Sequence, residues 1–257
     1  MDTNLKFERA KEVLVLLNIE IDAFLKSRPY RVGAIREEDQ RLSYVLTKVD
    51  DCQPRVSILI GDIIQNLRST LDHIAYKLFT LNSEGLGKHI YFPIASDRVK
   101  YESEKIRKTE GMSETAKQLI DSVEPYKEGN KILWQIHELN NIDKHRTLIT
   151  SGSSFHSVDV GAHMMKMMRD SFGAGIEQFP EIPLFIRPAD NLFPLQLEQV
   201  LFVDGPGADP IPNMSFKFQL VLNEPGIAEG TEVTTLLEAM CNEVEKQIKL
   251  FNPLVTI

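Results

Sequence analysis

The chain has 257 residues, 42% apolar and 26% charged, a globular composition that excludes disordered, collagen-like and mucin-like readings. Its 29 basic against 37 acidic side chains give a net charge of −8. Such a chain does not coat nucleic acid non-specifically, because that affinity comes from phosphate neutralisation, although a small basic site stays compatible with it.

No apolar run approaches the ~18–20 residues needed to span a bilayer, so no membrane partner is expected. The opening MDTNLKFERAKEV lacks the apolar core of a secretory signal. Cys52 and Cys241 are too few for a disulfide framework or a cysteine metal site. A cytoplasmic protein is expected, and its length allows one large domain or two small ones.

In chain order, residues 5–27 read as a helix, because Ala10, Leu14, Leu17, Ile21 and Phe24 form one apolar stripe and Arg28-Pro29 stops it. Tyr30–Ile35 and Arg41–Val49 read as an N-terminal β-hairpin turning at Glu37–Gln40. A long helix follows at 55–81, with Ile60, Ile64, Leu67, Leu71, Ile74 and Leu78 spaced 4,3,4,3,4. Asn82–Lys88 is a loop, and Tyr91-Phe92-Pro93-Ile94 a buried extended plug. Helices are expected at 98–108, at 114–123 with Ser113 as N-cap, and at 131–146. Residues 149–224 change character. They carry seven prolines, turn chemistry at Asp204-Gly205-Pro206-Gly207, and strand-like runs at Phe155–Val160, Leu184–Arg187, Leu195–Val203 and Met214–Leu222. An antiparallel sheet is expected there. Residues 231–251 return to helix. The whole reads as one α+β domain. Its helical bundle is drawn from 1–148 and 231–251, with the hairpin and the β-rich segment 149–224 added to it.

The long helix carries an unusual polar face. Asp62, Asn66, Ser69 and His73 lie opposite the apolar stripe, bordered by Gln65, Arg68, Asp72 and Tyr76. Between Arg55 and Tyr76 there is no Lys or Glu, the residues that usually build a solvated face. Gly61 costs about 1 kcal/mol or slightly less in a helix interior relative to Ala. A helix accepting these losses is expected to pack that face against a helix, a partner or a ligand.

A second polar face follows. In helix 131–146, Trp134, Glu138, Asn141 and His145 share a side, flanked by His137 and Lys144. Asp143 falls within the apolar arc of Ile132, Ile136 and Leu139, where a buried carboxylate needs a partner. Arg68 or Arg146 is a candidate partner for it. Arg68 can equally pair with Asp72 at i,i+4, an interaction without catalytic meaning.

The segment from Gly61 to His73 (GDIIQNLRSTLDH) and the segment from Leu139 to Arg146 (LNNIDKHR) resemble a pair found, in this order, in bacterial proteins of about this length. That resemblance implies no activity. Arg68-Ser69-Thr70-Leu71-Asp72-His73 also resembles the Arg, four to six residues, His motif of the HEPN superfamily. Ser69 stands where that family usually has Asn, Asp or His, and Tyr76 lies one residue further on than the tyrosine of one toxin branch. The resemblance covers the helical part. It implies a metal-independent, cofactor-free ribonuclease of a defence or toxin–antitoxin system, acting on RNA as a homodimer.

In that chemistry His73 removes the 2′-OH proton and Arg68 meets the charge developing on the phosphate. Residues five apart on a helix point about 140° away from each other, so one helix does not aim both at one phosphate. The second polar helix is expected to contribute His145, Lys144 or Arg146. Asp62, Asn66, Ser69, Asp72, Glu138, Asn141, Asp143, Lys144 and Arg146 are the candidate binding residues around Arg68, His73 and His145.

Two rival readings stand beside it. One is a metal-dependent hydrolase using His73, His137, His145, Asp62 and Glu138, although no HExxH or ExxH spacing occurs. The other is a non-enzymatic interaction protein, in which the polar faces form a hydrogen-bond network fixing helix register. There the Met164-Met165-Lys166-Met167-Met168 run offers an adaptable surface or simply core. No GxGxxG, Walker A or GxSxG motif is present, and no cofactor is expected.

Overall fold

A computed structural model describes residues 4–52, 54–145, 151–172, 183–187, 193–210 and 214–255. The fold is mixed α/β with antiparallel strand pairing, and the chain divides into two compact units. No helix among the described residues is long and apolar enough to cross a membrane.

The first unit takes the described residues of 1–20, 53–151 and 222–257. It holds most of α1 (Asn4–Lys26), then α2 (Pro54–Thr80), α3 (Arg98–Lys108), α4 (Glu114–Val123), α5 (Lys131–His145) and α7 (Val233–Val255). Pro54 opens α2, where its missing N–H is no loss. The expected apolar stripe of α2 is fully buried, and Ile63, Ala75 and Phe79 widen it. That width lets α2 pack on both α5 and α7, which also pack on each other. In α1 the buried line is Phe7, Ala10, Val13, Leu17 and Ile21, so Leu14 and Phe24 sit at its margin.

Capping chemistry sets the shorter elements. Ser113 accepts the Ala116 N–H at 3.2 Å, as its position predicts, and Asp97 does the same for Lys100 at 2.8 Å. Asn130 Oδ1 accepts the Leu133 N–H at the start of α5, and the Glu232 carboxylate accepts from Thr234 and Thr235 at the start of α7. The plug forms as expected at Phe92 and Ile94, both fully buried, whereas Tyr91 is half exposed. Phe92 meets the ring of Phe251 edge-on at 5.8 Å.

The second unit takes the described residues of 21–52 and 152–221. The hairpin forms where the sequence places it, as β1 (Tyr30–Arg36) and β2 (Leu42–Val49), with Gln40 at φ +66 doing what a glycine would do in the turn. It is not a separate element. β2 pairs antiparallel with β5 (Val200–Asp204), giving a three-stranded sheet in the order β1-β2-β5. β4 (Phe185–Ile186), β3 (Ser151–Asp159) and β6 (Ser215–Leu222) lie side by side in a second sheet, and the two-residue β7 (Thr231–Glu232) leads into α7. Leu46, Phe155, Val158, Val160, Leu195 and Leu201 form the core of this unit.

One expectation is overturned. The segment 149–224 is not sheet throughout: α6 (Gly161–Phe172) interrupts it and carries the methionine run. Methionine and lysine are unbranched helix formers, and Asp159 turns the chain out of β3 by accepting the Gly161 N–H at 2.9 Å. The run thus sits on a helix with Met164, Met167 and Met168 exposed. β4 and β5 are also shorter than the runs at Leu184–Arg187 and Leu195–Val203. Parts of the expected sheet at 149–150, 173–182, 188–192 and 211–213, and the end of the helix at Arg146, lie outside the described residues.

Candidate functional site

The two polar faces belong to neighbouring helices, α2 and α5. Between and beside them lie groups from both helices and one backbone segment, at Phe92.

Arg68 is the most constrained. Its side chain is 6% exposed, and Nη1 lies 2.9 Å from Asp72 Oδ1. Its Nη2 donates to the carbonyl of Phe92 at 3.0 Å, and Asp72 Oδ1 in turn accepts the Phe92 N–H at 3.0 Å. The guanidinium and the carboxylate together clamp both backbone groups of Phe92 onto α2. Of the partners open to Arg68, Asp72 is the one it takes, and the Arg68–Asp143 pair does not form. Burial pulls the Arg68 guanidinium down from its ordinary value, with Asp72 opposing. Burial likewise raises the Asp72 carboxyl, against the pull of Arg68, the Phe92 N–H, Lys144 and His73.

Asp143 finds a different seat. A Cβ added at Gly61 would meet its carboxylate, so the bare Gly61 backbone is what admits it beside α2. Burial and then neighbouring Asp62 raise the Asp143 carboxyl, while Lys144 works the other way.

His73 is partly buried, and its Nδ1 is enclosed without a hydrogen-bond partner among the described residues. His137 is enclosed in the same way at Nδ1, while its Nε2 lies 3.2 Å from Asn141 Nδ2. Burial, followed by the charges of Arg68, Lys108 and Lys144, depresses His137 to about 3. The imidazole is therefore neutral throughout the physiological range, beside the cations Arg68, Lys108 and Lys144.

The remaining candidates disperse. Asn66 donates back to the Asp62 carbonyl at 2.7 Å, and Thr70 to the Asn66 carbonyl at 2.9 Å, so this part of the face is satisfied within its own helix. Asp62 and Gln65 are exposed, and Ser69 and Glu138 half-buried. Lys144 and His145 are exposed at the end of α5, and Arg146 lies outside the described residues. Trp134, expected on the polar face, is buried under Lys127, whose Nζ sits 4.6 Å from the ring centre. Among the described residues no group of three or more His, Cys, Asp or Glu is placed to hold a metal ion, so the five residues of the metal reading do not converge.

Sequence reasoning missed three participants. Phe92 contributes backbone only, which no side-chain pattern announces. Lys108 comes from α3, where it reads as one of a basic last turn. Asn140 is buried with Oδ1 unpartnered among the described residues. Its signal was the doubled Asn140-Asn141, of which only the second residue fell on the expected face.

Compared with family models, with curated proteins and with solved structures, the chain gives no significant match in any of the three.

Proposed function

We propose that this chain is a non-enzymatic interaction protein, in which α2, α5 and α7 act as a helical bundle and the α2–α5 polar seam fixes its register. The observation that carries this reading is the state of Arg68. A cation that stabilises a phosphate must present its donors to the substrate; this one is buried, with Nη1 ion-paired to Asp72 but making no hydrogen bond among the described residues, and Nη2 donating inward to the Phe92 carbonyl. A guanidinium–carboxylate pair that ties an extended segment to a helix suits a lock better than a reaction centre.

The test is a cleavage assay on single-stranded and hairpin RNA, with and without chelator. The expected result is no cleavage above buffer in either condition. Chelator-resistant cleavage that disappears in His73→Gln, with melting temperature unchanged in that variant, would overturn the reading in favour of the HEPN-like ribonuclease and its RNA-bound homodimer. Cleavage lost with chelator would overturn it in favour of a metal-dependent hydrolase.

A further inference from the structure

The second unit contains a cleft of about 720 Å³ that the helical seam does not involve. It is lined by Tyr30–Ala34 along β1, by Met214, Ser215, Phe216 and Phe218 at the start of β6, and by Arg28, Tyr44 and Pro210. Three properties of this lining belong together.

First, β1 ends its sheet. Every second N–H and C=O along its outer side lacks a strand partner among the described residues of that sheet, the arrangement to which another extended chain adds. Second, the lining is sorted by strand alternation. Tyr30 and Val32 pack towards the core of the unit, with Phe216 and Phe218 nearby, whereas Arg31 between them is exposed. Third, the charge is one-sided. Arg28 and Arg31 are exposed without an ion-pair partner among the described residues, and no residue lining the cleft is acidic. In a chain of net charge −8 this is an uncommon local surplus of positive charge.

We propose that the cleft is a strand-addition site: an extended segment of a partner protein, alternating acidic and apolar residues, pairs with the outer edge of β1, its apolar side chains towards Phe216 and Phe218 and its carboxylates towards Arg31 and Arg28. The proposal rests on the interaction-protein reading and gives it a partner class. The period of two follows from the host strand, because a partner paired with β1 shares its pleat. Backbone hydrogen bonds supply the affinity, and the guanidinium of Arg31, with that of Arg28 just outside the strand, selects for acid. The aromatic side chains do not favour a nucleic acid strand instead. Tyr30 and Phe218 already pack on each other at 4.3 Å, and Tyr44 is buried against Phe216 at 5.7 Å, so no ring stands open as a stacking platform for a base, whereas Phe216 and Phe218 stay exposed enough to meet aliphatic side chains.

The probe is a fluorescein-labelled octapeptide of alternating Glu and Val, titrated against the full chain and followed by anisotropy. Amide hydrogen exchange is read over Tyr30–Ala34. Saturable binding is expected, weakened about tenfold or more by Arg31→Glu. Binding should be lost when alternate peptide amides are N-methylated, and exchange along β1 should slow in the complex. Arg28→Glu is a second variant outside the strand, so a folding defect in the first does not decide the result. Binding indifferent to N-methylation, or no protection of Tyr30–Ala34, overturns the proposal. Displacement of the peptide by octauridylate overturns it in favour of a single-stranded nucleic acid site. RNA cleavage in the assay described above bears on the seam alone, so the two failures are told apart.

Discussion

The carboxylate of Asp143 occupies the space that a side chain at Gly61 would fill: a Cβ built there would stand 2.5 Å from Asp143 Oδ1. The conflict lies between two helices and not within one. It explains why a residue that weakens a helix interior stands in the middle of α2.

Gly61→Ala is therefore expected to fall short of its usual gain. At an ordinary helix position this change gains about 1 kcal/mol. Here the atoms met belong to the end of the partly buried Asp143 side chain, which must turn aside, so the gain should be reduced or cancelled. Combining it with Asp143→Ala should restore most of that gain. Urea unfolding of the two single variants and the double variant gives the coupling directly, and additive effects would refute the close approach.

Removing the Arg68 side chain should release the Phe92 segment. Arg68→Ala leaves a partly buried carboxylate without its ion-pair partner and the Phe92 carbonyl with the Ile94 N–H as its remaining donor, a loss of about 3 kcal/mol. The loss should appear first between Ile90 and Ala95, as faster amide exchange and earlier proteolysis there than in α2 itself. Arg68→Lys should rescue only in part, since an ammonium does not reproduce the fork that reaches both Asp72 and Phe92.

His137 makes the folded state sensitive to acid. The unfolded imidazole takes up its proton near 6.5, whereas the folded one resists until about 3. Between those values the unfolded state holds more protons, so stability falls as pH falls through that window and is unaffected above it. The slope due to this group is up to about 1.4 kcal/mol per pH unit. Carboxylates titrate in the same range, so the measurement is the difference between the wild-type chain and His137→Gln. Urea midpoints from pH 7 to pH 4 should diverge by the equivalent of one proton, and parallel curves would count against the buried neutral imidazole.

At His73 the expectation runs the other way. An enclosed ring nitrogen without a partner destabilises, and a residue of similar reach without polar atoms removes that penalty. His73→Leu should leave the melting temperature unchanged or raise it by a few degrees. A large fall would mean that the imidazole makes an interaction the seam depends on.

The helices were legible in the sequence because each buries one stripe, and a stripe is visible in spacing alone. Ile60 through Leu78 specify α2 almost to the residue, and Ser113 specifies the start of α4. The hairpin was legible from its β-branched strands. The helix at 161–172 was not, because the surrounding prolines and strand-like runs set an average that hides a short unbranched stretch. The seam was half legible. The absence of Lys and Glu between Arg55 and Tyr76 marked a packed face, yet Asp62, Gln65 and Tyr76 are exposed, and what is covered is its border at Gly61, Arg68 and Asp72. The partner of Arg68, however, depended on a backbone carbonyl 24 residues away and on a choice between two aspartates that spacing left open. Asp143 was marked as needing a neighbour, yet what received it was a gap, the missing side chain of Gly61.

The pairing of β2 with β5 has a consequence for how the protein is made. Val45 must wait for Val200 before the three-stranded sheet exists. At ~5–20 residues per second a translating ribosome takes roughly 8–30 s to cover that interval. Throughout it the nascent hairpin has two open borders, while the helices encoded between are already free to assemble. Chaperone demand during synthesis should therefore concentrate on Tyr30–Val49, and shortening the delay by circular permutation should ease it.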